Sequence, residues 1–367
     1  MQFLKYSLGV FTLSLSLVSV SSVANATPPL QSPAETVASP TSVGEVVDKL
    51  GDNLMLVYQD SRNHWWFGTW GDGLYRYDGQ TIVHFTTAHG LSHNRIDQIL
   101  EDSSGKLYFS TPAGVNRFDG NQFSKLPEMK SLAWKLKPGD LWFTRSNYNG
   151  EVYRYDGEIL HALQLPKVKV GEDYIAKHHG TVSPYGVYTI YRDKLGRVWF
   201  GTAAVGVCCY DGRSFEWLTS EDVNELHDGP SNGVRSILED HEGHFWFNTR
   251  FRYAISNAIT PPVSEPKADG IFQRRPGIGS LDSKPDGDYE YLSIAEDRDH
   301  NVWIATYRDG VYKYDGQQLR HYPIMDGSKV VNLFTVYVDR EGTIWLGTHS
   351  HGVYRFNGTD FERFEPK

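Results

Sequence analysis

Two histidines separated by one residue, His349 and His351, stand near the end of the chain in IWLGTHSHGVYRFNG. Imidazole is the commonest protein ligand for transition metals, so the pair offers two legs of a metal site. A complete site needs a third or fourth ligand, which His89, His93, His178 or His179 would have to bring from elsewhere in the chain. The same side chains suit acid–base work, with His351 or His179 set against Asp309. No nucleophile elbow, phosphate loop or H-E-x-x-H motif points to other chemistry.

A second set of residues suits binding rather than turnover. Trp70, Arg145, Tyr148, Arg250, Arg252, Tyr307 and Arg308 are basic or aromatic and fall in short connections, as do His93, His179, His349 and His351. Planar guanidinium groups hold carboxylate, sulfate or phosphate through paired hydrogen bonds, and aromatic rings stack on sugar faces. Together they predict a small ligand, anionic or glycan-like. No cofactor is expected, a divalent metal being the alternative.

The elements that must position these residues repeat. An Asp is followed six residues later by an aromatic at Asp60…Trp66, Asp102…Tyr108, Asp193…Trp199, Asp240…Trp246, Asp297…Trp303 and Asp339…Trp345. A seventh copy, GDLWFTRSNYNG, keeps Trp142 without the Asp. The aromatic positions lie 34 to 57 residues apart, a period that marks a propeller or solenoid. Each repeat reads as four short strands: an apolar run ending in an acid (VRSILED), a turn, WWFGT or IWLGT, a loop, GLYRYDG or GVYRFNG, and a brief fourth strand. The Asp-Gly and Asn-Gly pairs at Asp78, Asp119, Asp156, Asp211, Asp315 and Asn357 predict type I′ hairpins. The fold expected is all-β, a seven-bladed β-propeller of four-stranded antiparallel blades. The recurrent Trp packs between blades, and the recurrent Asp caps its own turn.

Blades are expected at about 53–88, 94–127, 132–166, 185–220, 233–280, 290–324 and 331–367, within a domain of 49–367. Loops joining second to third strands, and fourth strands to the next blade, share one face, and a site belongs there. Blade 5 carries a Pro/Gly-rich insertion over 254–289, of the kind that serves as a lid or docking loop. Residues 27–48 read as a Pro/Ser/Thr-rich leader. Residues 1–26 have the parts of a secretory signal: Lys5, an apolar stretch, and Ala24-Asn25-Ala26 before Thr27. Periplasmic or secreted localisation follows, with no membrane insertion once the signal is removed. Removal takes Lys5 and no acid, moving the formal charge from −9 to −10. An acidic chain without a basic run is not a nucleic-acid binder. The two cysteines, Cys208 and Cys209, are adjacent and so point to opposite faces of a strand, a poor geometry for a disulfide.

The copies ILEDHEGHFWFNT, YRDKLGRVWFGTAAVGVCCYDG and YVDREGTIWLGTHSHGVYRFNG, with the blade entry HGLSHNRI, resemble the two-component regulator propeller repeat over about residues 53–367. That resemblance implies an extracytoplasmic sensor module bearing on glycans or their breakdown products, with a membrane sensor kinase or other signalling protein as partner. No kinase-like segment follows the last repeat, so no kinase activity is expected of the chain itself. The strands are also similar to those of virginiamycin B lyase propellers, which implies a metal-assisted lyase as the alternative activity. A protein-interaction platform is the other alternative.

Overall fold

The computed structural model describes residues 44–145, 149–178, 183–219, 233–247, 251–255, 272–278 and 291–366. Seven sheets follow one another along the chain and form a seven-bladed β-propeller. Blade 1 comprises Leu54–Gln59, Trp65–Thr69, Leu74–Tyr77 and Ile82–Phe85, with Glu45–Val47 added at its outer edge. Blades 2, 4, 6 and 7 begin at Gln98–Glu101, Val187–Arg192, Tyr291–Glu296 and Leu333–Val338, each a four-stranded antiparallel meander. Blade 5 is slighter: its first two strands, Leu238–Glu239 and Phe245–Trp246, are two residues each. A helix, Lys169–His178, precedes blade 4, and the residues around His179 lie outside the described ones. Most of the blade 5 insertion, 254–289, also lies outside them. No described helix is long and apolar enough to cross a membrane.

The recurrent Asp binds two things at once. In blade 1, Asp60 Oδ1 accepts the amides of Arg62 and His64 at 2.9 and 2.8 Å, closing the turn. Its Oδ2 accepts the indole N–H of Trp66 at 2.8 Å. The same indole bond recurs at Trp199–Asp193, Trp246–Asp240, Trp303–Asp297 and Trp345–Asp339, at 2.7 to 2.9 Å. In blade 2 the hydroxyl of Tyr108 takes the place of the indole on Asp102 at 2.9 Å. Trp66, Trp199, Trp246 and Trp303 are almost fully buried, each packed against the next blade, as Trp66 on Phe109 and Trp199 on Phe245. The turn-capping role was legible in the spacing; the indole bond, which lets a Trp be buried without orphaning its N–H, was not.

Adjacent blades are also latched through the backbone just after four of these Asp residues. The amide of Ser61 donates to Glu101, that of Lys194 to Glu239 and that of His241 to Glu296, each carboxylate belonging to the following blade. The ring closes the same way: Arg340 N donates to Gln59 Oε1 at 2.9 Å, and Gln59 Nε2 reaches Glu341 at 3.1 Å. Among the described residues no strand is exchanged between the first and last blades; side chains close the ring, with Trp65 and Trp345 rings 4.3 Å apart. The Gly of IWLGT has its reason here. A Cβ on Gly347 would lie 2.5 Å from the carbonyl oxygen of Met55, so only glycine lets blade 1 approach blade 7.

Blade 3 differs from the repeat. It has no inner first strand; its sheet is Leu141–Thr144, Glu151–Tyr155 and Leu160–Gln164, with Glu128–Lys130 added in parallel at the outer edge. The inner edge is covered by a side chain of blade 2: Gln98 Nε2 donates to Trp142 O at 3.3 Å and its Oε1 accepts Thr144 N at 3.2 Å. With the repeat Asp missing, Trp142 Nε1 is buried with no hydrogen-bond partner among the described residues. Asp140 serves Arg154 instead, at 3.1 Å, both buried.

Two expectations are corrected or refined in the hairpins and cysteines. The Asp-Gly hairpins are not type I′, because only the Gly has positive φ (Gly79 97°, Gly120 104°, Gly316 92°). The loop is longer, with Asp78 Oδ1 accepting the amides of Gln80 and Thr81 at 2.9 and 2.8 Å, a bond pattern that fixes the turn by side chain. Cys208 and Cys209 are both free and buried on opposite faces, and burial pushes both thiols well above the ordinary range.

Two outcomes follow. Asp339→Asn keeps the turn acceptor but presents an N–H₂ to the Trp345 indole, and is expected to lose about 1–3 kcal/mol in equilibrium denaturation. The amides of Thr81 and Gln80 hold Asp78 below the usual carboxylate range, and those of Gln122 and Asn121 do so for Asp119. A depressed folded-state pKa stabilises above the unfolded value and is lost as pH falls through the folded one. Denaturation midpoints should therefore be flat near neutrality and drop below about pH 4.

Candidate functional site

The first strands of the blades surround a central cavity of about 360 Å³. Its lining comes from all seven blades, blade 3 contributing Thr144 and Arg145 in place of the strand it lacks. Two residue positions of the repeat form its wall. Five residues before each repeat Asp stand Met55, Asp97, Tyr188, Arg235, Leu292 and Phe334; one residue nearer stand Leu56, Gln98, Thr189, Ser236, Ser293 and Thr335. The second set is mostly small and hydroxylic, while the first is large and varied.

Backbone irregularity aims the first set inward. In blades 1, 4, 6 and 7 the pairing of first and second strands slips between Leu54 and Leu56, Val187 and Thr189, Tyr291 and Ser293, and Leu333 and Thr335. The extra residue in each case is Met55, Tyr188, Leu292 or Phe334, and all four line the cavity. A bulge leaves one residue out of the ladder and turns its side chain away from the regular pleat.

Charge at this end is concentrated in arginines mounted on rings. Arg95 lies over Trp70 at 3.7 Å and its Nε donates to Asp97 at 2.6 Å. Trp70 is exposed and stands 6.3 Å from the ring of Phe334. Arg235 lies over Tyr188 at 4.3 Å. Arg145 lies over Tyr153 and donates to Glu151 at 2.8 Å, with Glu128 at 4.0 Å. Arg95 and Arg145 thus each hold a carboxylate, whereas Arg235 has none within ion-pair distance among the described residues. A guanidinium stacked on an aromatic keeps its planar edge of N–H donors available. The cavity therefore presents a cation, aromatic faces and a floor of hydroxyls.

The residues proposed from sequence divide accordingly. Trp70 and Arg145 line the cavity. Tyr148, His179 and Arg250 lie outside the described residues. Exposed His93 accepts the amide of Arg95 and does not reach the cavity wall. Tyr307 and Arg308 stack on each other at 5.2 Å in their loop, away from that wall. Arg252 is at the opposite end of its blade: it pairs with Trp246 across the strands, and its guanidinium binds Glu242. There it is the basic residue of the repeated third strand, as Arg76 is in blade 1.

His349 is exposed, with its amide on Asn332 O at 3.0 Å. His351 bonds Ser350 at 3.0 Å and faces Asp326, 3.9 Å away, on the hairpin formed by Met325–Asp326 and Lys329–Val330. Neither histidine joins the two groups of metal-ligand type that the described residues form, which are His241, Glu296 and His300, and Asp240, Glu242 and His244. Asp309 accepts from Tyr312 at 2.5 Å and lies 3.9 Å from His321, so it is not paired with His351. The loops that vary between repeats were the expected place for a site. Tyr188 and Phe334, on first strands, and Arg235, just before the first strand of blade 5, lie outside those loops, although a fixed offset of five residues before each Asp locates them.

Comparison with known proteins agrees with the repeat. The model of the two component regulator propeller family matches residues 181–204, 228–251 and 285–308. The extracellular domain of a one component system from B. thetaiotaomicron superposes with a TM-score of 0.55 at 21% identity, over 88% of this chain and 40% of that one. A virginiamycin B lyase from Staphylococcus aureus, with quinupristin, gives 0.57 at 13% identity over 84% and 97%. YCF48 bound to D1 peptide gives 0.53 at 13% over 87% and 96%. At these identities the likeness is one of fold. The chain spans about 40% of the length of the first of these structures. No curated protein matches it by sequence.

Proposed function

We propose that this chain, a propeller carrying two-component regulator repeats, is an exported binding protein whose central cavity takes a small ligand with an anionic group and a flat or sugar-like face. The observation that carries this reading is Arg235, a cation stacked on Tyr188 in a cavity of about 360 Å³ without a carboxylate partner among the described residues. Trp70 and Phe334 supply the surface against which a ring would lie, and Thr189, Ser236, Ser293 and Thr335 the hydroxyl donors and acceptors. A cavity of this size fits a mono- or disaccharide better than a polymer, and few convergent polar groups on an apolar wall are the usual make-up of such sites. The repeat supports a sensor role, in which the occupied propeller is read by a signalling protein, a membrane sensor kinase among them.

The experiment is a thermal-shift screen of uronic and sulfated mono- and disaccharides with their neutral counterparts, because a ligand that binds only the folded state raises Tm. An anionic member is expected to raise it and its neutral counterpart not. Arg235→Ala should weaken binding by roughly 10- to 100-fold, the cost of one charged hydrogen bond, about 1.5–3 kcal/mol. Arg62→Ala, in an exposed turn far from the cavity, should leave affinity unchanged. Equal affinity in Arg235→Ala would refute the assignment.

Export is tested separately. Intact-mass measurement of protein recovered from the host's periplasm or medium should show a chain starting at Thr27, whereas a chain retaining residues 1–26 would contradict the signal.

A further inference from the structure

At the end of the propeller opposite Trp70, the turns of blades 5 and 6 bring two imidazoles onto one carboxylate. His241 Nδ1 lies 2.5 Å from Glu296 Oε1, and His300 Nδ1 lies 3.7 Å from the same oxygen. One ligand atom from each of the three falls within 4.8 Å of the others. The imidazole rings are 3.9 Å apart between centroids, and both histidines are exposed.

The repeat shows which part of this is scaffold. Glu296 accepting the amide of His241 is the blade latch seen at Glu101 and Glu239. The two histidines are additions to it. At the position of His241 the other blades have Ser61, Ser103, Lys194, Arg298 and Arg340. At the position of His300 they have Asn63, Gly105, Gly196, Gly243 and Gly342. That position has positive φ throughout the set, 64° for His300, a region costly for a residue with a Cβ. Four of the other blades place Gly here and blade 1 places Asn63, the side chain best suited to that region, whereas blade 6 accepts the strain with a histidine and so sets a second imidazole beside the first.

We propose that His241, Glu296 and His300 form a site for a divalent transition-metal ion of the zinc class, bridging blades 5 and 6. Two imidazole nitrogens and a carboxylate oxygen make a three-ligand set, with solvent completing a tetrahedron. The position gives such an ion a structural use. Among the described residues the first two strands of blade 5 are only two residues each, so a clasp from its turn to blade 6 fastens a slight blade to a complete one. The group Asp240, Glu242 and His244 carries no such site, because Arg252 occupies Glu242 and approaches Asp240 at 3.6 Å.

Isothermal titration of untagged, metal-stripped protein with zinc chloride, together with Tm against added zinc, tests this. Saturable uptake of one ion per chain and a rise in Tm are expected. His300→Gly restores the residue found in four other blades, and His241→Ser that of blades 1 and 2, so both variants retain the fold. Each removes a ligand and should weaken zinc binding by at least about 100-fold, since loss of a supporting residue alone costs about 10–100-fold. Both variants should also lose the zinc-dependent rise in Tm while matching the parent in EDTA. No saturable uptake by the parent protein, or unchanged affinity in His300→Gly, would overturn the proposal.

Discussion

One carboxylate in each blade but the third holds the ring together. Its first oxygen closes the turn between the two inner strands, and its second satisfies an indole that would otherwise be buried with an unpaired N–H. A blade can then bury a Trp against its neighbour and keep both the apolar area, about 4–6 kcal/mol as an upper bound, and the hydrogen bond. This bond, joined in blades 1, 4, 5 and 7 by the latch beside it, fixes the turn end of a blade, while the other end holds the cavity. Variation collects there, in the slipped pairings that send Met55, Tyr188, Leu292 and Phe334 into the cavity.

Blade 3 shows what happens when that carboxylate is missing. The inner strand is gone, Trp142 keeps its stacking on Trp134 but not a partner for its N–H, and neighbours repair the gap. Gln98 takes over the backbone groups of Trp142 and Thr144, while Arg192 from blade 4 donates to Asp140 O and Lys137 O. The missing strand also opens the cavity wall at Thr144 and Arg145, so the departure from the repeat shapes the site.

The fold was legible because its determinants are local and repeated: an Asp and an aromatic six residues apart, a Gly in the second strand, an Asp-Gly at the outer hairpin. Blade count and the capping role of Asp60 and its counterparts followed directly. The absent inner strand of blade 3 did not, because a side chain, Gln98, replaces what a strand would supply. The site was half legible. Trp70 and Arg145 were reachable by looking in loops, but Tyr188 sits on a strand whose alternation reads as ordinary packing until a bulge turns it inward, and Arg235 just precedes the short first strand of blade 5. His349 and His351 looked like a metal pair in sequence, yet one is solvent-facing and the other turns to Asp326. The histidines that do converge, His241 and His300, are 59 residues apart and meet only because neighbouring blades align their turns.

The cavity and Arg235, its arginine without a carboxylate partner among the described residues, carry the proposed binding. A crystal structure of the protein with a bound anionic saccharide selected by binding tests it most directly. The account places the ligand's charged group within hydrogen-bond distance, about 2.7–2.9 Å, of the Arg235 guanidinium, with its ring toward Trp70 and Phe334. A ligand seated on the outer loops around Tyr307, Arg308 and His349, leaving the cavity unfilled, would contradict it.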